Sequence, residues 1–172
     1  MPAIRHAFTD EPVPRVIVAD SSFIFHALFD DRQGYHLPAR RFAERLRKAN
    51  SLFVYSSLVF LEAPQCWRRL YRRGLLSPSQ GSIDATTNRL NAFAESDATL
   101  EEFLAGFNKR RANISRSLLR KASVMAARYD LQSHDALVVA LARDIGVSDL
   151  AAIDRGFRVV DGLELWDGLL NH

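Results

Sequence analysis

The sequence predicts an α/β fold built on a mostly parallel sheet, and three observations carry that expectation. Short apolar runs recur at Val16–Val18, Leu52–Tyr55 and Leu150–Ile153, each the length of a buried strand. Longer segments with apolar residues at helical spacing separate them, the alternation expected of parallel strands joined by crossover helices. One of these segments is apolar without interruption from Ala136 to Ala142, the composition of a helix buried on more than one side.

Taken in order, Met1 to Pro14 reads as a poorly ordered N-terminal extension, with Pro2, Pro12 and Pro14. The first strand, Arg15 to Ala19, ends at Asp20-Ser21-Ser22, and a helix follows through Phe23, Ile24, Ala27 and Leu28 until Gly34 breaks it. Pro38 opens a second helix with Phe42 and Leu46 on one face and Arg40, Arg41, Arg45 and Arg47 elsewhere. After the strand at Leu52–Tyr55, Ser56 or Ser57 caps a helix that carries Glu62 in its early part. From Leu75 to Gly81 the composition turns to Ser, Pro, Gln and Gly, a loop or the start of an insertion. Helices are expected over 83–107 and 114–129, with a break near Asn113, so the insertion around 75–112 reads as helical. Ser133 caps the apolar helix, Gly146 stops it, and Asp161-Gly162 is either a hairpin turn or a loop into a last strand, Leu163–Trp166. Residues 15–172 thus form one domain.

Composition narrows the function classes. The chain has 172 residues, 48% of them apolar, and no apolar run near the ~20 residues that span a bilayer, so no membrane segment is expected. Asp10, Glu11 and the early prolines argue against a secretory signal, and a single cysteine, Cys66, excludes an internal disulfide framework and fits a cytoplasmic protein. The five histidines are scattered without zinc-site spacing. Of the 23 basic residues 20 are arginine, whose planar fork suits bidentate contact with phosphate.

The acids sit where carboxylates need partners. Asp20 ends the first strand, Asp154 ends a later one, and Glu62 and Asp135 lie in early helical turns. In an open α/β sheet the functional crevice lies at the carboxyl ends of the strands, so all four can face one crevice. Each also has an ordinary role available: Asp20 as an N-cap, Asp135 as complement to a helix dipole, Glu62 as a solvated helix residue, Asp154 in a turn. Together they are constrained by electrostatics. Two like charges ~4 Å apart repel by roughly 4 kcal/mol at an effective dielectric of 20, so such a cluster takes up protons or binds a cation. Oxygen ligands without nearby Cys or His select magnesium or manganese. With these four set aside from the net charge of +3, the rest of the chain carries +7, a basic surface suited to a nucleic-acid backbone.

Asp20-Ser21-Ser22 after a strand, Ser57 through Glu62, His134-Asp135-Ala136-Leu137, and Ala152-Ile153-Asp154-Arg155-Gly156-Phe157 occur in an order that resembles the PIN domain. Within that superfamily the sequence is most similar to the VapC-like toxin ribonucleases of bacterial toxin–antitoxin pairs. The resemblance covers about Val16 to Leu165 and is anchored by these four short motifs. It implies a three-layer α/β/α sandwich, a magnesium- or manganese-dependent endoribonuclease that prefers single strands, with single-stranded or structured RNA as its partner, a homodimer, and a cognate antitoxin whose C-terminal segment blocks the acidic crevice. It assigns Asp20, Glu62, Asp135 and Asp154 as metal-binding catalytic acids, with Ser21 or Ser22 as a supporting hydroxyl. Three features depart from the pattern: Ala152 stands where many members have Thr or Ser, Pro64 follows Glu62 closely, and the segment between Glu62 and Asp135 is long.

Arg68, Arg69, Arg72 and Arg73 fall within an arc of roughly 140° on a helical wheel, with Trp67, Leu70 and Tyr71 opposite and Glu62 inside the arc if Pro64 leaves the register intact. They are candidate RNA-binding residues, or else a solvated outer face. A second cluster, Lys109-Arg110-Arg111 with Arg116 and Arg120, reads as a solvated face or an antitoxin-docking surface. Phosphatases of the haloacid dehalogenase type need an acid where Ser22 stands, and response-regulator receivers need a late lysine that is absent beyond Lys121. The rival reading is a catalytically weakened or inactive PIN-like module that binds RNA or protein, favoured by Ala152 alone.

Overall fold

The computed structural model describes residues 2–30, 32–75 and 85–168, with side chains in the last span from residue 93 onward. Among the described residues, six parallel strands form one sheet in the order β1-β6-β5-β2-β3-β4. Their spans are β1 Ile4–His6, β2 Val16–Ala19, β3 Leu52–Ser56, β4 Asn108–Ala112, β5 Asp149–Ala151 and β6 Glu164–Trp166. The α-helices among the described residues are α1 Ser21–Leu28, α2 His36–Lys48, α3 Val59–Arg72, α4 Ala85–Ala105, α5 Arg116–Tyr129 and α6 Ser133–Asp144.

The central strands are buried on both faces because their residues alternate between two apolar clusters. Ile17, Ala19, Phe53, Tyr55 and Ala151 point into the cluster under α1, α2 and α4, while Val18, Val54 and Leu150 point into the one under α5 and α6. The result is a three-layer α/β/α sandwich. The chain steps from β2 outward to β3 and β4, then returns to the other side of β2 for β5 and β6. The carboxyl ends of β2 and β5 therefore flank a topological switch point, where α/β sheets open a crevice.

Several local expectations change. The N-terminal stretch is ordered: β1 pairs with β6, and Phe8 is buried, stacked on Phe42 at 4.9 Å. A buried Asp167 clamps this edge, receiving two bonds from Arg5 at 3.0 and 2.9 Å and one from Arg158 at 3.3 Å. The expected helix over 83–107 ends at Ala105, and Lys109, Arg110 and Arg111 lie on β4, an edge strand, so the segment around 75–112 is not wholly helical. Edge strands commonly carry charge on their exposed row, which hid this one from a hydrophobic reading. Residues 76–84, including the Ser/Pro/Gln/Gly stretch, lie outside the described residues. The N-cap of α6 is Gln132 without a side-chain bond, rather than Ser133, and the loop at Asp161-Gly162 leads into β6 instead of making a hairpin. No helix among the described residues is long and apolar enough to cross a membrane.

Candidate active site

Four separate elements deliver one acid each to the switch point. Asp20 follows β2 as the N-cap of α1, accepting from the Ser22 backbone N–H at 2.9 Å and from the Ser22 hydroxyl. Ser22 Oγ in turn accepts from the Ile153 N–H at 3.1 Å, so one hydroxyl ties the end of β2 to the segment that carries the last acid. That acid, Asp154, stands three residues past the end of β5, where it caps a short 3-10 turn and accepts from Gly156 N–H at 2.8 Å. Asp135 lies in the first turn of α6, and Glu62 in the first turn of α3.

All four acids line one open cleft of about 360 Å³, with Ser21 and Ser22 beside Asp20. Gly156 has a packing reason to lack a side chain: a Cβ there would lie 3.3 Å from both Asp135 Oδ2 and Asp154 Oδ1. Glu62 is paired by the imidazole of His134, which is 60% exposed at the mouth of the cleft.

Burial decides the charge state of this cluster. Asp20 is only 5% exposed, and desolvation pushes its carboxyl up despite the Ser22 bonds, with Glu62 adding repulsion. Asp135 is pushed up to about 7, first by desolvation and then by the charges of Asp20, Asp154 and Glu62, against a smaller opposing pull from His134. A helix N-terminus normally favours a carboxylate by about 0.3–1 kcal/mol, and here it does not offset burial among three other acids. Among the described residues, no three His, Cys, Asp or Glu side chains lie close enough to hold one ion as they stand. The fit to a cation is one of chemistry: Asp20, Glu62, Asp135 and Asp154 offer hard oxygen donors with two carboxyls short of compensating charge, a set for magnesium or manganese.

The chain shares its fold with solved proteins across most of its length. The toxin VapC20 of Mycobacterium tuberculosis, described as cleaving the sarcin–ricin loop, is 22% identical, with 82% of this chain and 92% of that one covered at a TM-score of 0.50. PAE2754 from Pyrobaculum aerophilum is 16% identical, with 89% of this chain and 84% of that one covered at a TM-score of 0.55. The chain has the PIN-domain fold. No family model and no curated protein matches the sequence itself.

Within this PIN fold, α3 runs through Pro64 without interruption, although a proline at its sixth position takes away the N–H that would reach the Phe60 carbonyl. Glu62, Gln65, Cys66, Arg69 and Arg73 thereby share the face that lines the cleft. Of the four candidate RNA-binding arginines, Arg69 and Arg73 reach the cleft, while Arg68 and Arg72 are exposed and not part of its lining. Ala152 is fully buried in the apolar cluster beneath α6 and is not part of the cleft lining either. Phe25, His26, Phe29, Gln65 and Gln132 line the cleft without a role in the sequence reading, and His134 enters that reading only within the motif around Asp135. His26 was legible one turn after Ser22, and His134 directly before Asp135, but aromatic residues at helical spacing look like core.

Proposed function

We propose that the protein is a magnesium- or manganese-dependent endoribonuclease acting on single-stranded RNA, a toxin of a toxin–antitoxin pair. The observation that carries this reading is the convergence of Asp20, Glu62, Asp135 and Asp154 from four elements on one cleft, with Asp135 raised to about 7. VapC20, a toxin described as cleaving the sarcin–ricin loop, has the same fold and supports the choice of substrate. A bound divalent ion would supply polarisation of a phosphoryl oxygen and a lowered pKa for water. The chain's own residues do the rest. Ser22 fixes the orientation of Asp20, the Gly156 N–H fixes Asp154, and His134 holds Glu62 at the mouth. Arg69 and Arg73 offer guanidinium forks to phosphates entering along α3. The homodimer and the antitoxin that seals the acidic cleft belong to the same reading, as does a cytoplasmic setting.

Cleavage of a labelled single-stranded RNA with magnesium, with manganese and with chelator tests it, wild type and Asp20→Asn purified side by side. Metal-dependent cutting by wild type alone, leaving 5′-phosphate and 3′-hydroxyl ends, is the expected result. Equal cutting by both proteins, or silence of both, contradicts it; silence with retained RNA binding marks an inactive RNA-binding module. Arg69→Ala with Arg73→Ala is expected to weaken RNA binding and to reduce the dependence of log affinity on log salt by roughly 1.4, two phosphate contacts on a single strand. An unchanged slope would remove these arginines from the RNA path.

A further inference from the structure

The cleft extends well beyond the four acids. Its outer part is walled by Phe25 of α1 and Phe29 at its C-cap, four residues apart, and by Gln65 and Arg69 of α3 with Arg73 at its C-cap. Both phenylalanines are half-buried, and Phe29 is held in place by an edge-on contact with the buried Trp67 ring at 4.2 Å. Phe25 packs against the cluster below α1. Among the described residues neither Arg69 nor Arg73 has an ion-pair partner. A catalytic cleft for phosphodiesters needs acids and cations; two fixed aromatic rings add nothing to that chemistry. They do suit the one part of RNA that is flat and apolar.

We propose that this outer part is a nucleobase subsite, which takes one unstacked base next to the scissile phosphate against the Phe25 and Phe29 rings. The arginines hold the flanking phosphates, and the Gln65 amide presents a donor and an acceptor to the base edge. This rests on the ribonuclease reading and names its specificity: a base already out of a duplex stack is selected, because no stacking is lost on entry. A cleft of about 360 Å³ has room for a nucleotide of that kind.

The test separates the subsite from catalysis by reading binding alone. In the Asp20→Asn background with magnesium, fluorescence anisotropy follows a labelled single-stranded hexanucleotide and a set of its variants, each with one abasic position. The expected result is that one abasic position weakens binding by about 5- to 100-fold, the value of a stacked base. Phe25→Leu and Phe29→Leu each weaken binding of the intact oligonucleotide and leave the abasic one unchanged, while Phe25→Tyr retains affinity. Thermal melts confirm that each variant folds. Equal losses on intact and abasic strands, no loss from the leucine variants, or no tighter binding of the intact strand would overturn the proposal. Base-dependent binding by a protein whose wild type cuts no RNA would sink the nuclease reading and leave the subsite standing; metal-dependent cutting indifferent to abasic positions would do the reverse.

Discussion

Asp135→Asn is expected to lower RNA cleavage by on the order of 10³-fold or more while raising the stability of the metal-free protein. The two effects have one cause. With its folded pKa near 7 against an ordinary 3.8, Asp135 binds a proton more tightly in the native state than in the unfolded chain. Stability therefore falls as pH rises through the window from 3.8 to about 7 and stays low above it. Asparagine has the same shape and no charge to desolvate, so the melting temperature of the variant should lie above that of wild type at pH 8, by less at pH 5, and converge with it only as pH falls below 3.8. Asp20→Asn should behave alike, since asparagine also caps helices and the Ser22 backbone bond survives. The double variant should cut no more slowly than either single one, because acids that serve one site are not additive. Melting curves at pH 5 and pH 8 beside cleavage rates check both signs; a variant both inactive and less stable at pH 8 would make Asp135 a structural acid.

Asp167→Ala should cost about 2–4 kcal/mol of stability without touching the cleft. Asp167 is buried, and the guanidinium groups of Arg5 and Arg158 converge on it. Removing the carboxylate takes away the buried anion on which both guanidinium groups converge, although both are more than a quarter exposed and regain some water, which keeps the cost below that of a fully enclosed pair. The same clamp ties β1 to the end of β6, where the Asp167 N–H also donates to His6 carbonyl at 3.0 Å. Urea unfolding should show the loss, and metal-dependent cleavage by the folded fraction should match wild type. Conservative Asp167→Asn, which keeps one acceptor, should cost less.

The parts of this fold legible in the sequence are those where burial writes a pattern. Val16–Val18, Leu52–Tyr55 and Leu150–Ile153 are apolar on consecutive residues because both faces of the central strands are covered. The edges carry no such mark. Ile4-Arg5-His6 pairs on one side only and is preceded and followed by prolines, and Asn108–Ala112 holds three consecutive cations on the far edge. Both were invisible as strands. The acids were legible because polar residues at the ends of apolar runs fall at the carboxyl edge of a parallel sheet. The arginines of α3 were half legible: the wheel gave their arc, but only the placement of α3 against α1 selects Arg69 and Arg73 over Arg68 and Arg72. Phe25 and Phe29 escaped notice for a different reason, since rings that line a cleft and rings of a core stripe have the same spacing.

The central claim, that these four carboxylates form a divalent metal site, is tested most directly by calorimetric titration of the wild type with manganese at pH 6 in two buffers of different ionisation enthalpy. At that pH much of the Asp135 carboxyl still holds its proton, so binding should release it, and the apparent enthalpy should differ between buffers. The expected result is saturable binding with proton release, both lost in Asp135→Asn. Heat of binding unchanged by that substitution, or no binding at millimolar manganese, would contradict the account.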